Sequence, residues 1–198
     1  MRRLATAATA ALISLAAALP AAAEVSINEI SNYFASFRTG QSKFTQVNAD
    51  GSISTGTLYI KRPGRMRFEY DPPVEQLVLA GGGQVAIFDG RSNVANEQYP
   101  LSETPLSIIL AENVDLARSG MVTAHGSDGT TTSLTAQDPD RPEIGSIRLV
   151  FTEGPTELRQ WVTTNSVGEQ TTVILGELVR GVDLPPSTFS LDLAKQRF

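Results

Sequence analysis

Two adjoining stretches in which apolar and polar residues alternate limit the possible folds of this chain more than any other feature. They occupy residues 56–62 and 65–70 and are separated by Pro63-Gly64. Successive side chains of a β-strand point to opposite faces, and Pro and Gly interrupt strands. The pattern therefore predicts two neighbouring antiparallel strands that meet at a tight turn.

The two faces of this predicted hairpin differ in chemistry. Its apolar face carries Leu58, Ile60, Met66, Phe68 and Tyr70, and its polar face carries Thr57, Tyr59, Lys61, Arg65, Arg67 and Glu69. By the same alternation, Arg62 falls at the rim of the apolar face. A cation there either extends along the apolar surface to water or has a specific hydrogen-bonding role.

Strand patterns and turn signals continue along most of the chain. They predict strands at about 42–49, 52–62, 65–71, 75–80, 84–88, 93–99, 121–126, 130–137, 145–153, 158–164 and 169–178. Consecutive strands at this spacing favour a curved antiparallel sheet or barrel over an α/β enzyme. We therefore expect a mainly β (α+β) fold.

Only two segments have clear helical signals. Ser26-Ile27-Asn28-Glu29 is a capping box, and apolar residues then recur at helical spacing, which predicts an amphipathic helix over about 26–38. Thr104-Pro105 resembles a helix start, which predicts a short and unusually apolar helix over 104–110.

The predicted strands present more apolar surface than one sheet can leave in water. Beyond the hairpin, this surface includes Leu77, Leu79, Val85, Ile87, Ile147, Leu149 and Phe151. The two helices are its evident covers. Two arrangements remain open: a filled core beneath the helices, or a half-barrel whose helices form a removable lid over a lipid cavity.

The first 23 residues have the pattern of a cleavable export signal. Arg2 and Arg3 precede an apolar run that ends near Leu19, and Ala21-Ala22-Ala23 supplies a cleavage site. We expect a signal peptide over 1–23 and a single domain over 24–198, located in the periplasm. A retained anchor is the alternative, although the run is short against the ~20 apolar residues of a membrane span.

Composition narrows the possible partners. Without its two leading arginines the chain keeps 14 basic residues against 21 acidic ones, a net charge of −7. An acidic protein binds nucleic acid poorly, so no nucleic-acid partner is expected. The chain has no cysteine, which excludes a lipid-anchored lipoprotein, a disulfide scaffold and a thiolate metal site.

We find no convincing catalytic, metal-binding or cofactor-binding motif. His125 is the only histidine and lies beside Ser127 and Asp128, neighbours too close in sequence to form a triad, so we interpret it as an ordinary turn residue. The stretch from Gly81 to Ala86 formally matches a dinucleotide fingerprint, but a strand follows where that motif requires a helix. We expect a protein that is not an enzyme and needs no metal or cofactor.

The chain resembles the LolA family of periplasmic outer-membrane lipoprotein carriers. The matching motifs are Phe44-x-Gln46, Gly56-x-Leu58-x-Ile60-Lys61-Arg62-Pro63, Arg67-Phe68-x-Tyr70-x-x-Pro73, Leu77-Val78-Leu79, Asp89-Gly90 and Thr104-Pro105-Leu106. Together they cover most of residues 26–110, whereas the second half matches only as a strand pattern.

This resemblance implies an incomplete antiparallel β-barrel with an α-helical lid, monomeric, that binds the acyl chains of lipoproteins. It also implies two partners, an inner-membrane lipoprotein-releasing ABC transporter (LolCDE-like) and an outer-membrane receptor (LolB-like). The gate arginine, which bonds to the lid backbone in the closed state, corresponds to Arg62. The implied acyl-chain cavity comprises Phe44, Leu58, Ile60, Met66, Phe68, Tyr70, Leu77, Leu79, Ile147, Leu149 and Phe151, and the implied lid comprises Ile30, Phe34, Leu106, Ile108, Ile109 and Leu110.

The chain departs from the family pattern at two places, and two other functions stay open. Met66 and Ala86 stand where many members have aromatics, which predicts a less aromatic cavity, and the tail after Phe189 is too short for a further strand. One alternative is a secreted protein of the same fold that binds another amphiphile, such as a glycolipid or a hydrophobic peptide. The other is a small-molecule hydrolase, which the lone His125 disfavours.

Overall fold

The computed structural model describes residues 23–91, 96–117 and 120–196. The strands are β1 (Thr39–Val47), β2 (Ile53–Lys61), β3 (Arg65–Tyr70), β4 (Gln76–Gly81), β5 (Gln84–Asp89), β6 (Glu97–Pro100), β7 (Val122–Ser127), β8 (Thr131–Gln137), β9 (Ser146–Glu153), β10 (Thr156–Thr164), β11 (Gln170–Leu175) and β12 (Val179–Arg180). The α-helices are α1 (Ile27–Ala35), α2 (Leu106–Leu110) and α3 (Leu191–Lys195), and 3₁₀ turns occupy Leu101–Glu103, Pro142–Ile144 and Pro186–Phe189. The predicted signal peptide lies, except for its last residue, outside the described residues.

All twelve strands belong to one antiparallel sheet. Their order is β6-β5-β4-β3-β2-β1-β11-β10-β9-β8-β7, with β12 beside β1. Strands β6 and β7 stand at the two ends of this order, so the sheet curves without closing. The predicted mainly β class and incomplete antiparallel barrel are confirmed.

The hairpin of β2 and β3 has the predicted faces. Leu58 pairs with Phe68 and Ile60 with Met66 across β2 and β3, and all four are buried. Directly opposite residues in an antiparallel pair share a face. Together they begin the concave, apolar face of the sheet.

The main cluster of buried residues lies between this concave face and the two helices. From the sheet it includes Phe44, Leu58, Ile60, Met66, Phe68, Ala80, Val85, Leu134, Ile147, Leu149, Phe151 and Trp161, and from the helices Ile30, Tyr33, Phe34, Ile108, Ile109 and Leu110. Helices α1 and α2 therefore cover the apolar strands, as the sequence predicts.

A second cluster lies on the opposite, convex face and corrects the assignment of Leu77 and Leu79. Both side chains pack there, with Ala86 and Phe88, because Leu77 pairs with Glu69 and Leu79 with Arg67 on the polar face of the hairpin. Their predicted place in the concave cavity is wrong. The run Leu77-Val78-Leu79 is apolar on both faces, so alternation could not decide its orientation. Ala86 likewise has no part in the concave surface.

The C-terminal segment covers this convex cluster. Leu184, Phe189 and Ala194 pack onto it, and α3 occupies the region in which no further strand was expected. Gly81 permits the close approach, since a Cβ on it would lie 2.6 Å from the carbonyl oxygen of Phe189.

The helices differ in detail from their predictions. Ser26 caps α1 through the predicted capping box with Glu29, but the helix ends at Ala35. Helix α2 begins after Pro105 without a side-chain cap, because the hydroxyl of Thr104 donates to the Leu101 carbonyl instead. No helix in the described ranges is long and apolar enough to cross a membrane.

Candidate functional site

The concave face brings together most of the predicted cavity and lid residues. Phe44, Leu58, Ile60, Met66, Phe68, Ile147, Leu149 and Phe151 share one buried cluster with Ile30, Phe34, Ile108, Ile109 and Leu110. Tyr70 and Leu106 are partly buried against its edge. The apolar strands are thus covered by helices, which is the arrangement of a closed lid.

Aromatic rings pack edge to face across the interface between lid and sheet. Tyr33 and Phe34 of α1 lie 5.3 Å and 6.3 Å from the ring of Phe151, centroid to centroid. One half of the sheet is formed by β1–β6 and the other by β7–β11. Phe68 of β3 lies 6.2 Å from Trp161 of β10, a contact that joins the two halves. Of the two positions behind the expectation of a less aromatic cavity, only Met66 lies on the concave face, because Ala86 packs on the convex one.

The Phe44-x-Gln46 motif has a structural explanation. The ring of Phe44 lies edge-on to Phe68 and Tyr70, both at 5.2 Å, and the hydroxyl of Tyr70 donates to Gln46 Oε1 at 2.9 Å. Gly56 pairs with Phe44, and a Cβ there would lie 2.7 Å from the Phe44 ring. Burial raises the pKa of Tyr70 to about 12. This end of the apolar face is thus a fixed aromatic wall.

A pocket of about 680 Å³ lies between residues of the two halves of the sheet. Val78 and Val85 line it from one half, Leu106 from α2, and Ile144 from the other half. Such volumes are typical of ligand sites, which span about 300–1,000 Å³. We call it the mouth pocket, because it leads from solvent to the edge of the lid.

Arg62 joins the ends of both lid helices. It is only 4% exposed, and its Nη2 donates to the carbonyl of Phe37, just after α1, at 2.8 Å. Its Nη1 reaches the carbonyl of Ala111, the C-cap of α2, at a long 3.4 Å. The guanidinium also lies over the rings of Phe34 and Phe37, at 5.8 and 5.3 Å.

The chemistry of Arg62 is that of a weakly compensated buried cation. Burial lowers its pKa, and the positive charge of Arg38 adds to this effect. Its Nε is buried without a hydrogen-bond partner among the described residues. The desolvation of the guanidinium therefore reduces the net stabilisation that its hydrogen bonds to the lid provide. Its role as a gate stays a prediction.

Two further arginines hold the C-terminal end of α1, and sequence reasoning missed them. Arg38 Nη1 donates to the carbonyl of Glu112 at 2.7 Å. Arg180 stacks 4.6 Å from the Tyr33 ring centroid, reaches Ser36 Oγ at 3.3 Å and pairs with Glu157 at 2.8 Å. Cations near a helix C-terminus are favourable. Arg180 lies far along the chain from α1, so no local pattern could have revealed this contact.

The interpretation of His125 as a turn residue is wrong. It lies within β7, and its Nδ1 is 2.9 Å from a carboxylate oxygen of Glu24. Its Nε2 is 2.9 Å from the carbonyl oxygen of Val25. His125 therefore contacts the chain just before α1. No group of three His, Asp or Glu residues suited to a metal ion occurs in the part of the chain that the structure describes.

Comparison with known proteins agrees with this geometry. The family model described as "Outer membrane lipoprotein carrier protein LolA" matches residues 35–192. The chain belongs to the LolA family. That family is one of carriers, so the concave face and its lid are its candidate binding site.

Individual LolA relatives cover nearly the whole chain. An outer-membrane lipoprotein carrier protein of Coxiella burnetii (strain CbuK_Q154) is 27% identical over 184 residues, covering 85% of this chain and 86% of the relative. One of Pseudomonas putida (strain W619) is 26% identical, covering 92% and 90%. A crystal structure of a proposed outer membrane lipoprotein-sorting protein domain from Vibrio parahaemolyticus has a TM-score of 0.52 at 8% identity, covering 87% of this chain and 98% of that one, and supports the fold alone.

Proposed function

We propose that this protein is a periplasmic carrier that binds the acyl chains of lipoproteins on the concave face of its sheet. It would receive them from an inner-membrane LolCDE-like ABC transporter and deliver them to a LolB-like receptor at the outer membrane. The observation that carries the proposal is a continuous apolar sheet face covered by two helices whose ends are tied by one buried arginine. Membership of the LolA family supports the lipoprotein as cargo.

The magnitudes explain why a carrier with a lid would be useful. Each acyl CH₂ removed from water contributes ~0.8 kcal/mol. Several long chains therefore total tens of kcal/mol, which prevents their passive release into water. A carrier must offer comparable apolar area and still let the cargo leave. Acyl chains that replace the contacts of Phe34 and Ile109 gain less than they would on a bare surface, so binding stays reversible.

Arg62 would set the balance between the closed and loaded states. Hydrogen bonds that involve a charged group contribute about 1.5–3 kcal/mol each. Cargo entry would break the bonds from Arg62 to the Phe37 and Ala111 carbonyls, and release would restore them. The closed lid would thus compete with cargo and favour hand-over.

The proposed carrier is passive. It would act as a monomer, without catalysis, metal or cofactor, so loading would need energy from the donor transporter and release a receptor of higher affinity. The mouth pocket would admit the chains while the protein part of the cargo stays in solvent. Residues 1–23 would direct export and be removed, which leaves the carrier in the periplasm.

Native mass spectrometry of the protein purified with a co-expressed lipoprotein tests this function. We expect a one-to-one complex with the triacylated form, and none with a cargo whose acylated cysteine is replaced by serine. Lipid extraction of the same sample identifies any other amphiphile. A glycolipid or hydrophobic peptide in place of the lipoprotein would contradict the proposal.

A further inference from the structure

The chain that precedes α1 is fastened to the concave face by two hydrogen bonds and by one close contact between His125 and Glu24. His125 of β7 meets the Glu24 carboxylate through Nδ1 and the Val25 carbonyl through Nε2, each at 2.9 Å. The backbone N–H of Val25 donates to Oγ1 of Thr132 in β8, also at 2.9 Å. Val25 and Thr132 are 2% and 0% exposed, so at least one of these bonds is shielded from water.

Both nitrogens of His125 face acceptors. A neutral imidazole has one N–H donor, whereas the imidazolium has two. The ring contacts the chain before α1 through both of its nitrogens.

The surroundings of this contact are acidic and connected. Thr132 Oγ1, which accepts from Val25, donates in turn to Glu153 at 2.8 Å, and Ser127 of β7 donates to the same carboxylate oxygen. Glu24 faces the ring from the N-terminal stretch, Glu153 lies on β9, and Glu29 of α1 is held by Ser26 in the capping box. Each of these three carboxylates has a neighbour within hydrogen-bond distance, but Oε2 of Glu153 is buried without a partner among the described residues.

The two ends of α1 are therefore tied to different halves of the sheet. Its C-terminal end is bonded to Arg62, directly after β2, and its N-terminal end to β7, the edge strand of the other half. A nine-residue helix is about 13 Å long at about 1.5 Å per residue. We treat a helix of this length as a rigid rod, which would pivot about either end when the other is released.

We propose that Glu24, Val25, His125 and Thr132 form a second clamp that holds α1 closed, and that His125 is the positioning residue at its centre. The inference rests on the proposed function only in taking α1 as a lid. Release at His125 would uncover the β9 side of the apolar face around Phe151. Release at Arg62 would uncover the β2 side around Leu58 instead.

Hydrogen exchange of the empty, full-length mature protein tests the clamp without any cargo. In His125→Ala we expect amides of residues 30–34 to exchange about tenfold faster, the effect of losing one charge-assisted bond. Glu24→Ala, at an exposed position, should give a smaller increase in the same amides. Arg62→Leu should act mainly on the amides of residues 35–38, and Arg159→Ala, on an exposed convex side chain, should change neither set.

A conservative variant separates the clamp from a merely structural contact. His125→Gln keeps N–H donors on its side-chain amide, so exchange at residues 30–34 should lie between the rates of the wild type and of His125→Ala. Unchanged protection of β10 and β11 checks that each variant is folded.

Two results would overturn the clamp: wild-type exchange in both His125→Ala and Glu24→Ala, or faster exchange in His125→Ala that is spread equally over residues 30–34, β10 and β11. Neither depends on cargo. If the clamp is present but no acylated lipoprotein binds, the proposed function fails and the clamp stands.

Discussion

The two faces of the sheet are both covered by other parts of the chain, but in different ways. On the convex face, the C-terminal segment lies so close to the strands that Gly81 has no room for a side chain against Phe189. On the concave face, two short helices are fastened at their ends by single side chains such as Arg62 and His125. The first cover approaches the strands backbone to backbone, whereas the second packs through side chains and is tied at its ends by a few hydrogen bonds.

Lys61 and Arg62 show this difference at neighbouring positions. Lys61 Nζ donates to the carbonyl of Leu184 in the convex cover at 2.5 Å, and Arg62 Nη2 donates to the carbonyl of Phe37 in the lid at 2.8 Å. Each cation thus fastens the cover on its own side. The lysine is partly exposed and the arginine is buried, so the same kind of bond is worth more on the concave side.

The largest expected effect on stability belongs to the convex face. Phe88 is fully buried in the second cluster, and Phe88→Ala should lower the free energy of unfolding by about 3–5 kcal/mol. Denaturant unfolding measures this loss. Because Phe88 lies outside the concave site, the folded fraction should bind cargo as the wild type does. Weakened binding by folded protein would mean that the convex cover is also part of the carrier's working surface.

A charge placed in the lid should affect the concave face, where it should change binding. Ile109 is 3% exposed in α2, and Ile109→Asp leaves a carboxylate without a built-in partner. Its cost to the closed lid should exceed the about 1–3 kcal/mol of an unsatisfied neutral polar group. We expect fluorescence of a hydrophobic dye to rise several-fold and lipoprotein binding to weaken. Val179→Asp, at an exposed position on β12, is the matched control. Unchanged dye and cargo binding in Ile109→Asp would make α2 a surface helix only.

Arg62→Leu should block hand-over while it keeps or strengthens acyl binding. Loss of a bond worth about 1.5–3 kcal/mol removes the closed state as a competitor, so cargo should accumulate and transfer should slow at least tenfold. Transfer from loaded carrier to an acceptor measures this rate. Lys61→Ala is the control on the other face and should transfer almost normally. The gate assignment is wrong if Arg62→Leu transfers at the wild-type rate, or if Lys61→Ala is the slower variant.

The sequence predicted the concave face better than the convex one, for a physical reason. Where only one face of a strand is apolar, as in β2 and β3, alternation fixes the orientation of Leu58 and Phe68. In β4 both faces are apolar, because the convex face there is covered too, and Leu77 and Leu79 could not be assigned. The mouth pocket likewise joins segments from both halves of the chain, which local patterns cannot bring together.

The long-range polar contacts could not be predicted from the sequence for another reason. His125 is separated from Val25 by 100 residues and Arg180 from Ser36 by 144. Neither pair lies in one element or in adjacent strands, so no periodicity connects them. Arg62 could be singled out only because a cation at the end of an apolar alternation is unusual in itself.

The smallest effect concerns the fixed aromatic wall, which lies on the same face as the proposed lid. Tyr70→Phe removes the hydroxyl that donates to Gln46, at a cost of about 1 kcal/mol in unfolding free energy. Cargo transfer should be unaffected, since this bond joins strands and not helices.

The same residue makes stability depend on pH at the alkaline end. The folded pKa of Tyr70 is about 12, raised by burial, against ~10 for an exposed tyrosine. Since the folded pKa is the higher one, its contribution is complete below pH ~10 and is lost as the pH rises towards 12. Between pH 9 and 11.5 the free energy of unfolding should therefore fall less steeply in Tyr70→Phe than in the wild type. Parallel profiles would mean that Tyr70 ionises as easily in the folded protein as in water, and that the wall around Phe44 is not fixed.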